Sequence, residues 1–214
     1  MGEVVQIGGQ HKVVEILLSS AYFAPIEWYW HLNHSQVAYV EQWDTYRKQT
    51  YRNRCRIATA NGVQTLSVPV ERSEDGQIGR QMRDTVISDH GNWRHQHWNA
   101  LVSAYGESPF FQFYEDDINP FFIKKYKFLY DLNMEICQTV CSLIDIKPTI
   151  RPTEEFLPID SCPNDLRETI TPKRETGFCA KPYQQVFQQK NGFLPNLSIL
   201  DLLFNMGPES IFYV

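Results

Sequence analysis

Long apolar runs are missing from this 214-residue chain: no window approaches the roughly 18 uncharged apolar residues that a membrane-spanning helix needs. The N-terminus, MGEVVQIGGQHKVVEILL, has no basic start followed by a long apolar run, which argues against a secretory signal. The five cysteines are odd in number and form no CxxC pair, which favours reduced thiols over a disulfide framework. We therefore expect a cytoplasmic protein without a membrane span.

An excess of positive charge is also missing. The chain has 20 Lys and Arg against 25 Asp and Glu, and the net charge of -5 argues against wholesale nucleic-acid binding. Nucleic acid is thus an unlikely class of partner, with aminoacyl-tRNA as the possible exception. Neither GxGxxG nor a Walker sequence occurs, so the sequence supports no nucleotide site of those kinds and implies no cofactor.

What is present predicts an α/β fold. Val13–Ser19 and Val37–Glu41 are apolar runs of strand length, and Pro25 can open a helix between them. This strand–loop–helix–strand order predicts a mixed, Rossmann-like sheet flanked by helices. The length fits a single domain over residues 1–214.

Further elements follow along the chain. Asn61-Gly62 lies between two strand-like runs and predicts a β-hairpin. Helices are expected over 93–105 and over about 121–144. We divide the domain into three parts: a main α/β body, a Pro-rich arm that is either a packed cover or a lid, and a C-terminal segment with a short helix, spanning 12–146, 147–192 and 193–214.

The densest chemical signal is the segment from Tyr46 to Arg56. It holds five cations in eleven residues of an otherwise acidic protein. Arginine can bind phosphate or carboxylate through two parallel hydrogen bonds, which suits a nucleotide-sugar diphosphate, a phosphopantetheine arm or an RNA backbone. The alternative is a solvated edge strand whose charges prevent it from pairing with strands of other molecules. In a strand, Arg52, Arg54 and Arg56 would share one face.

Histidines form the second signal. His95 and His97 lie on the predicted helix 93–105, and histidine is the usual general base near neutral pH. His97 shares the apolar face with Trp93 and Leu101, so it could equally be a hydrogen-bonded core residue. His95 lies on a more polar face. The two histidines are not one helical turn apart and have no carboxylate at ligand spacing, so we predict no metal site.

Glu41 lies near the end of the second predicted strand. Ligands in open α/β sheets gather outside the carboxyl ends of strands, so this carboxylate could orient an attacking amine. A salt bridge with a nearby arginine is the alternative.

These segments together resemble the WbqC-like family from about residue 13 to 146 and again near the C-terminus. One departure is Ser20-Ala21, where many family members have Gln-Pro before the Tyr-Phe pair. The matching segments are Ser19–Pro25, Val40-Glu41, Tyr46 with Lys48–Arg54, Asn61-Gly62, Leu66–Val70, Trp93 with His97, Tyr105 with Ser108–Phe111, and Phe193–Asn205.

The resemblance implies a role in surface polysaccharide synthesis, especially that of O-antigen, and a suggested transfer of glycine or another aminoacyl group to an amino sugar. The expected partner is a nucleotide-sugar or a carrier-bound acyl donor. In that reaction His97, with His95 in reserve, would accept the proton of the amine, and Glu41 would orient it.

The substrate-binding residues of this hypothesis come from the cationic segment. Lys48, Arg52 and Arg54 would hold phosphates, and Asn53 would bind the developing oxyanion. Two alternatives stay open. One is a non-catalytic module that binds a phosphorylated glycan or a partner protein. The other is a Rossmann-like nucleotide site, in which the Tyr22 loop meets Lys48 across the sheet edge.

Overall fold

The main sheet of the protein contains a βαβ unit. A computed structural model describes residues 5–7, 10–71, 81–159, 161–174 and 176–214. Its strands, in chain order, are β1 (Val5–Ile7), β2 (Gln10–Ser19), β3 (Ser35–Glu41), β4 (Arg54–Thr59), β5 (Gly62–Ser67) and β6 (Ile150–Pro152). The main sheet has the order β1-β2-β3-β6, in which β2, β3 and β6 are parallel and β1 is antiparallel to β2. This confirms the predicted α/β class and its first two strands.

The helices surround this sheet and the hairpin. In chain order they are α1 (Ile26–Asn33), α2 (Trp93–Tyr105), α3 (Phe111–Ile118), α4 (Pro120–Ile123), α5 (Leu129–Leu143), α6 (Gln188–Asn191) and α7 (Ile199–Met206). The helix predicted over 93–105 is confirmed. None of these helices is long and apolar enough to span a bilayer, within the part of the chain that the structure describes.

The single helix predicted over 121–144 is wrong, because residues 124–128 interrupt it. Backbone hydrogen bonds to a distant loop hold these residues: the Ile87 N–H donates to the Lys127 carbonyl, and the Leu129 N–H donates to the Thr85 carbonyl, both at 2.9 Å. These long-range bonds replace bonds that a continuous helix would have made, so tertiary contacts override the apolar periodicity.

The predicted hairpin is confirmed as β4 and β5, with a small shift of its turn. Thr59 pairs with Gly62, so Ala60 and Asn61 form the turn and Gly62 begins β5. Gly62 has a φ of 93°, a conformation that side chains disfavour. Arg54 and Arg56 occupy alternate positions of β4, and the buried Cys55 and Ile57 lie on its other face.

The C-terminal segment ties the hairpin to the βαβ unit. The Ser198 N–H donates to the Arg56 carbonyl at 2.8 Å, and the Ile199 N–H donates to the Ala24 carbonyl at 2.9 Å. Ser198 also caps α7, because its side chain accepts a hydrogen bond from the Leu200 N–H at 3.3 Å. The apolar residues of α7 are buried apart from the half-buried Met206, so this helix closes the core under β4.

The Pro-rich arm packs against the body in its described parts, 147–159, 161–174 and 176–192. Its strand β6 extends the main sheet beside β3. Further on, the Leu166 N–H donates to the Leu17 carbonyl at 2.9 Å, and the Leu17 N–H donates to the Asn164 carbonyl at 3.1 Å. The arm therefore contacts both β2 and β3, in the manner of a packed cover.

Candidate functional site

The Glu41 carboxylate is fully engaged, and three of its four donors come from the arm. It is 1% exposed, and its Oε2 accepts hydrogen bonds from Arg167 Nη1 at 3.2 Å and the Leu157 N–H at 3.1 Å. Its Oε1 accepts from the Trp43 N–H at 2.8 Å and the Thr153 hydroxyl at 2.9 Å. Four donors fill the positions that an amine would need, so this geometry favours the salt-bridge alternative for Glu41.

Arg167 holds the arm through the same contacts. Its guanidinium binds both oxygens of Asp165, with the shortest contact 2.6 Å from Nη2 to Oδ2, and donates to the carbonyls of Leu157 and Pro158 at 2.8 and 3.1 Å. Burial acts to lower the pKa of Arg167, but Asp165 and then Glu41 outweigh it and raise that pKa. The charged Arg167 thus fixes the chain just before residues 171–174.

Arg52 is also committed to an internal ion pair. Its Nη2 lies 2.7 Å from Asp44 Oδ2, and both side chains are buried. Burial lowers the pKa of Arg52, and the charge of Asp44 opposes this effect. The Arg52 carbonyl accepts a hydrogen bond from Asn133 Nδ2 at 2.8 Å, so backbone and side chain are both held. Arg52 has no free face for a substrate phosphate.

The other predicted binding residues of the cationic segment lie in environments that differ from that of Arg52. Asn53 is buried and donates from Nδ2 to the Val68 carbonyl at 2.8 Å, while its Oδ1 has no partner among the described residues. Arg54 is half-buried on β4, and Lys48 is exposed in the preceding loop. The cationic segment therefore does not present its charges to one site.

His97 is enclosed in the core. It is 5% exposed, its Nδ1 lies 2.9 Å from the Tyr22 hydroxyl, and its ring packs against Trp93 and Phe122. Burial lowers the pKa of His97 to about 4, and a hydrogen bond to the backbone of Ser67 opposes this effect. A neutral, enclosed ring has no path for a proton to a substrate, so this geometry favours the core alternative. Burial likewise raises the pKa of Tyr22.

His95 lies at a different surface. It is exposed, its Nε2 is 2.9 Å from Asn99 Nδ2, and it lines a cleft of about 350 Å³ together with Arg94 and Lys125. Arg94 and Lys125 both pair with Asp89, at 2.5 and 3.0 Å. None of the described residues that line this cleft belongs to the cationic segment, so base and phosphate ligands do not meet there.

The position of a Rossmann-like nucleotide site is filled by the arm. Ser20 and Ala21 directly follow β2, and Arg52 and Arg167 line the same space. The cavity left between these residues is about 10 Å³, roughly the space of one water molecule. A nucleotide has no room at this edge of the sheet.

The largest of the described clefts lies instead between β4, the arm and the C-terminal motif. We call it the basic cleft, because three cations, Arg56, Lys173 and Arg174, line its volume of about 530 Å³. No carboxylate is found among its described lining residues. The remaining walls are polar or apolar side chains: Tyr51, Val63, Thr171, Pro172, Thr176, Phe178, Leu194, Pro195 and Asn196.

A buried carboxyl group, Glu27, lies behind the basic cleft. It is 2% exposed in the first turn of α1, and its Oε2 accepts from Asn196 Nδ2 at 2.8 Å. The Glu27 N–H donates back to Asn196 Oδ1 at 3.0 Å, and the Thr176 hydroxyl also bonds the carboxylate. Burial raises the pKa of Glu27, and these two side-chain hydrogen bonds oppose it. Glu27 therefore contacts two lining residues.

Sequence reasoning found only part of this site. Arg56 belongs to the predicted cationic segment and Asn196 to a segment of the family resemblance. Lys173 and Arg174 lie in the arm, whose high proline content indicates a loop and not a charged binding site. Glu27 carries no sequence signal beyond its place after Pro25.

The fold and the clefts define an α/β protein with a cationic surface site and internal ion pairs that hold a covering arm. The chain belongs to the WbqC-like protein family, whose sequence pattern matches residues 20–177 and 173–213. It is 27% identical over 195 residues to the uncharacterized protein Rv1507c of Mycobacterium tuberculosis (strain ATCC 25618 / H37Rv), a match that covers 79% of this chain and 83% of that relative. No solved structure is significantly similar to the chain.

Proposed function

We propose that the protein binds a phosphorylated amino sugar, such as a nucleotide-sugar, in the basic cleft, and that it serves surface polysaccharide synthesis such as that of O-antigen. The observation that carries the binding proposal is the convergence of Arg56, Lys173 and Arg174 on one cleft with no carboxylate among its described lining residues. The role in polysaccharide synthesis rests on the resemblance described above.

The composition of the cleft suits both ends of such a ligand. Guanidinium groups bind phosphate oxygens through paired hydrogen bonds, and Arg56 and Arg174 supply two of them. Arg174 donates one Nη2 hydrogen bond to the Glu168 carbonyl, which orients the group and leaves further N–H donors that could bind phosphate oxygens. Pro172 and Pro195 offer apolar surface to the nucleoside next to the phosphates. A volume of about 530 Å³ is typical of small-molecule sites.

Replacing Arg56 with Ala is expected to weaken binding of UDP-N-acetylglucosamine by about 10- to 100-fold, the effect of removing a charge-assisted hydrogen bond. Isothermal titration calorimetry measures the dissociation constants of both proteins. Raising the salt concentration should also weaken binding to the wild-type protein, because salt screens its charges. The matched control is Arg83→Ala, which removes an exposed arginine stacked on Trp43 outside the cleft. Equal affinities of the Arg56 and Arg83 variants would contradict the proposal.

A second candidate function is transfer of a glycyl or other aminoacyl group, favoured by Glu27 behind the cleft wall. In this reaction the sugar amine attacks the carbonyl carbon of an activated ester or thioester. The N–C amide bond forms, the C–O or C–S bond breaks, and the leaving oxygen or sulfur takes up a proton. Glu27 is itself enclosed, so the amine proton would reach it through the Thr176 hydroxyl, which lines the cleft and hydrogen-bonds the carboxylate. A carboxyl group with a raised pKa is the better base for this step.

Replacing Glu27 with Gln is expected to lower the rate of N-glycyl product formation by about 100-fold or more while retaining sugar-nucleotide binding. The measurement is mass spectrometry of an amino-sugar nucleotide incubated with a glycyl thioester and purified protein. Glu71→Gln, an exposed carboxylate outside the cleft, is the control. Turnover of the Glu27 variant at the wild-type rate would rule out this base, and absence of product with wild-type protein would leave binding as the function.

A further inference from the structure

An aromatic groove adjoins the basic cleft. Its volume is about 420 Å³, and it lies where the end of α1, the arm and the C-terminal turn meet. We call it the aromatic groove after four of its lining rings. The lining residues are Trp30, Asn33, His34, Phe178, Cys179, Lys181, Ile211, Phe212, Tyr213 and Val214.

The rings of the aromatic groove are held in place by one another. Trp30 stacks on His34, one turn further along the chain, with centroids 4.3 Å apart and an interplanar angle of 21°. Phe178 of the arm packs against Trp30 at 5.9 Å. Lys181 Nζ lies 4.6 Å from the centre of the Tyr213 ring. These contacts fix half-buried aromatic faces beside a cation, without filling the groove.

Phe212 stands out within this set. Its side chain is 70% exposed, whereas the other aromatic side chains of the groove are half-buried, so its face is open to a ligand. The segment Gly207–Tyr213 that carries it is a regular 3-10 turn whose Ser210 is buried, so the ring is presented from an ordered backbone. An exposed ring at the mouth of a preformed groove is the arrangement expected for stacking on a ligand.

The aromatic groove and the basic cleft meet at Phe178, which lines both of them. We propose that they form one extended site for a sugar linked to a diphosphate, with the phosphates in the basic cleft and the sugar ring in the aromatic groove. This inference rests on the proposed function and specifies how its ligand lies.

The chemistry of the groove favours a sugar over a wholly apolar occupant. The C–H faces of a sugar ring stack on aromatic rings, while its hydroxyl groups need hydrogen-bonding partners. Lys181 supplies donors, and Asn33, which also lines the groove, donates from Nδ2 to the Val214 carbonyl at 3.1 Å and has a side-chain oxygen that can accept. An apolar ligand would leave these polar groups without partners.

The test compares two probes, UDP and UDP-N-acetylglucosamine, by calorimetry on the full chain. Phe212→Ala is expected to weaken UDP-N-acetylglucosamine binding by about three- to tenfold, the loss of one aromatic packing contact, and to change UDP binding by less than about twofold. Phe113→Ala is the matched control, because Phe113 is 71% exposed on α3 and lines neither the groove nor the cleft as described. It should change neither affinity.

The other outcomes are decisive. If Phe212→Ala weakens both probes equally, the uracil end occupies the groove and the sugar assignment is overturned. If it weakens neither while wild-type protein binds both, the extended site is overturned and the basic cleft stands alone. If wild-type protein binds neither probe, the proposed function itself fails, and this inference fails with it.

Discussion

Replacing Arg167 with Met is expected to lower the free energy of unfolding by about 3–5 kcal/mol, the typical cost of breaking a buried ion pair by removing one partner. Methionine fills a similar volume, so the loss is mainly electrostatic. The Glu41 carboxylate, with its side chain 0% exposed, would stay buried without its cation. The carbonyls of Leu157 and Pro158 would lose a charged donor as well. Urea unfolding followed by circular dichroism measures the change.

The control for this prediction is Lys124→Met. Lys124 pairs with Glu135 at 2.6 Å, a shorter contact than that of Arg167 with Glu41. The side chains of both Lys124 and Glu135 are exposed, however. Exposed pairs contribute about 0–1 kcal/mol because solvent screens them. If the two variants unfold at the same urea concentration, burial does not determine the strength of the Arg167 contact, and the assignment of Arg167 as the fastening of the arm is wrong.

The position of Arg167 connects stability to binding. The arm runs from Arg167 to Ile170, which is buried, and then to Thr171–Arg174, which form one wall of the basic cleft. Loosening the ion pair with Glu41 would let this wall move away from β4. In the proposed binding function, Glu41 would act on the ligand through the arm, as a positioning residue, and this would account for an inaccessible carboxylate in a segment of the family resemblance.

Local signals were sufficient for the first half of the fold. The strands over 13–19 and 37–41 have apolar runs that two-sided burial requires, and the Asn61-Gly62 pair marks the hairpin to within one residue. The break at 124–128 is different, because hydrogen bonds to Thr85 and Ile87 cause it. No local pattern reports a partner some 40 residues away, so periodicity alone predicted one helix.

The candidate site was harder to predict for the same reason. Charge density along the chain identified the segment from Tyr46 to Arg56. Which of its cations face solvent depends on which of them form buried ion pairs with carboxylates elsewhere in the chain. Asp44 forms an ion pair with Arg52, and Glu41 forms one with Arg167, which is 126 residues away in the chain. For His97 the helical position did indicate the outcome: it shares the buried face of α2 with Trp93.

Two segments of the family resemblance are structural in this chain. The Phe110 N–H donates to the Phe204 carbonyl at 3.0 Å, and the Phe111 and Phe204 rings lie 5.0 Å apart, edge to face. These contacts join the Ser108–Phe111 segment to α7. Gly207, directly after α7, completes the junction, because its Cα faces the Phe110 ring. Motif residues here hold the packing between α7 and the start of α3.

Replacing Gly207 with Ala tests this junction and is expected to lower the free energy of unfolding by about 2–5 kcal/mol, from backbone strain and overpacking together. Gly207 has a φ of 55° and a ψ of -127°, which side chains disfavour, and an added Cβ would lie 2.5 Å from Cδ1 of Phe110. Gly91→Ala is the control: its φ is 80°, but an added Cβ meets nothing within 4 Å, so only strain of about 1–2 kcal/mol is expected.

A double-mutant cycle separates the two causes. Phe110→Leu removes the ring that the new Cβ would strike, so in that background Gly207→Ala should cost about 1–3 kcal/mol less than in the wild-type chain. Coupling of this sign follows from a steric clash and not from backbone strain, which is independent of residue 110. Additive effects in urea unfolding would show that strain alone requires glycine here, and the Phe110 contact would then have no part in joining α7 to α3.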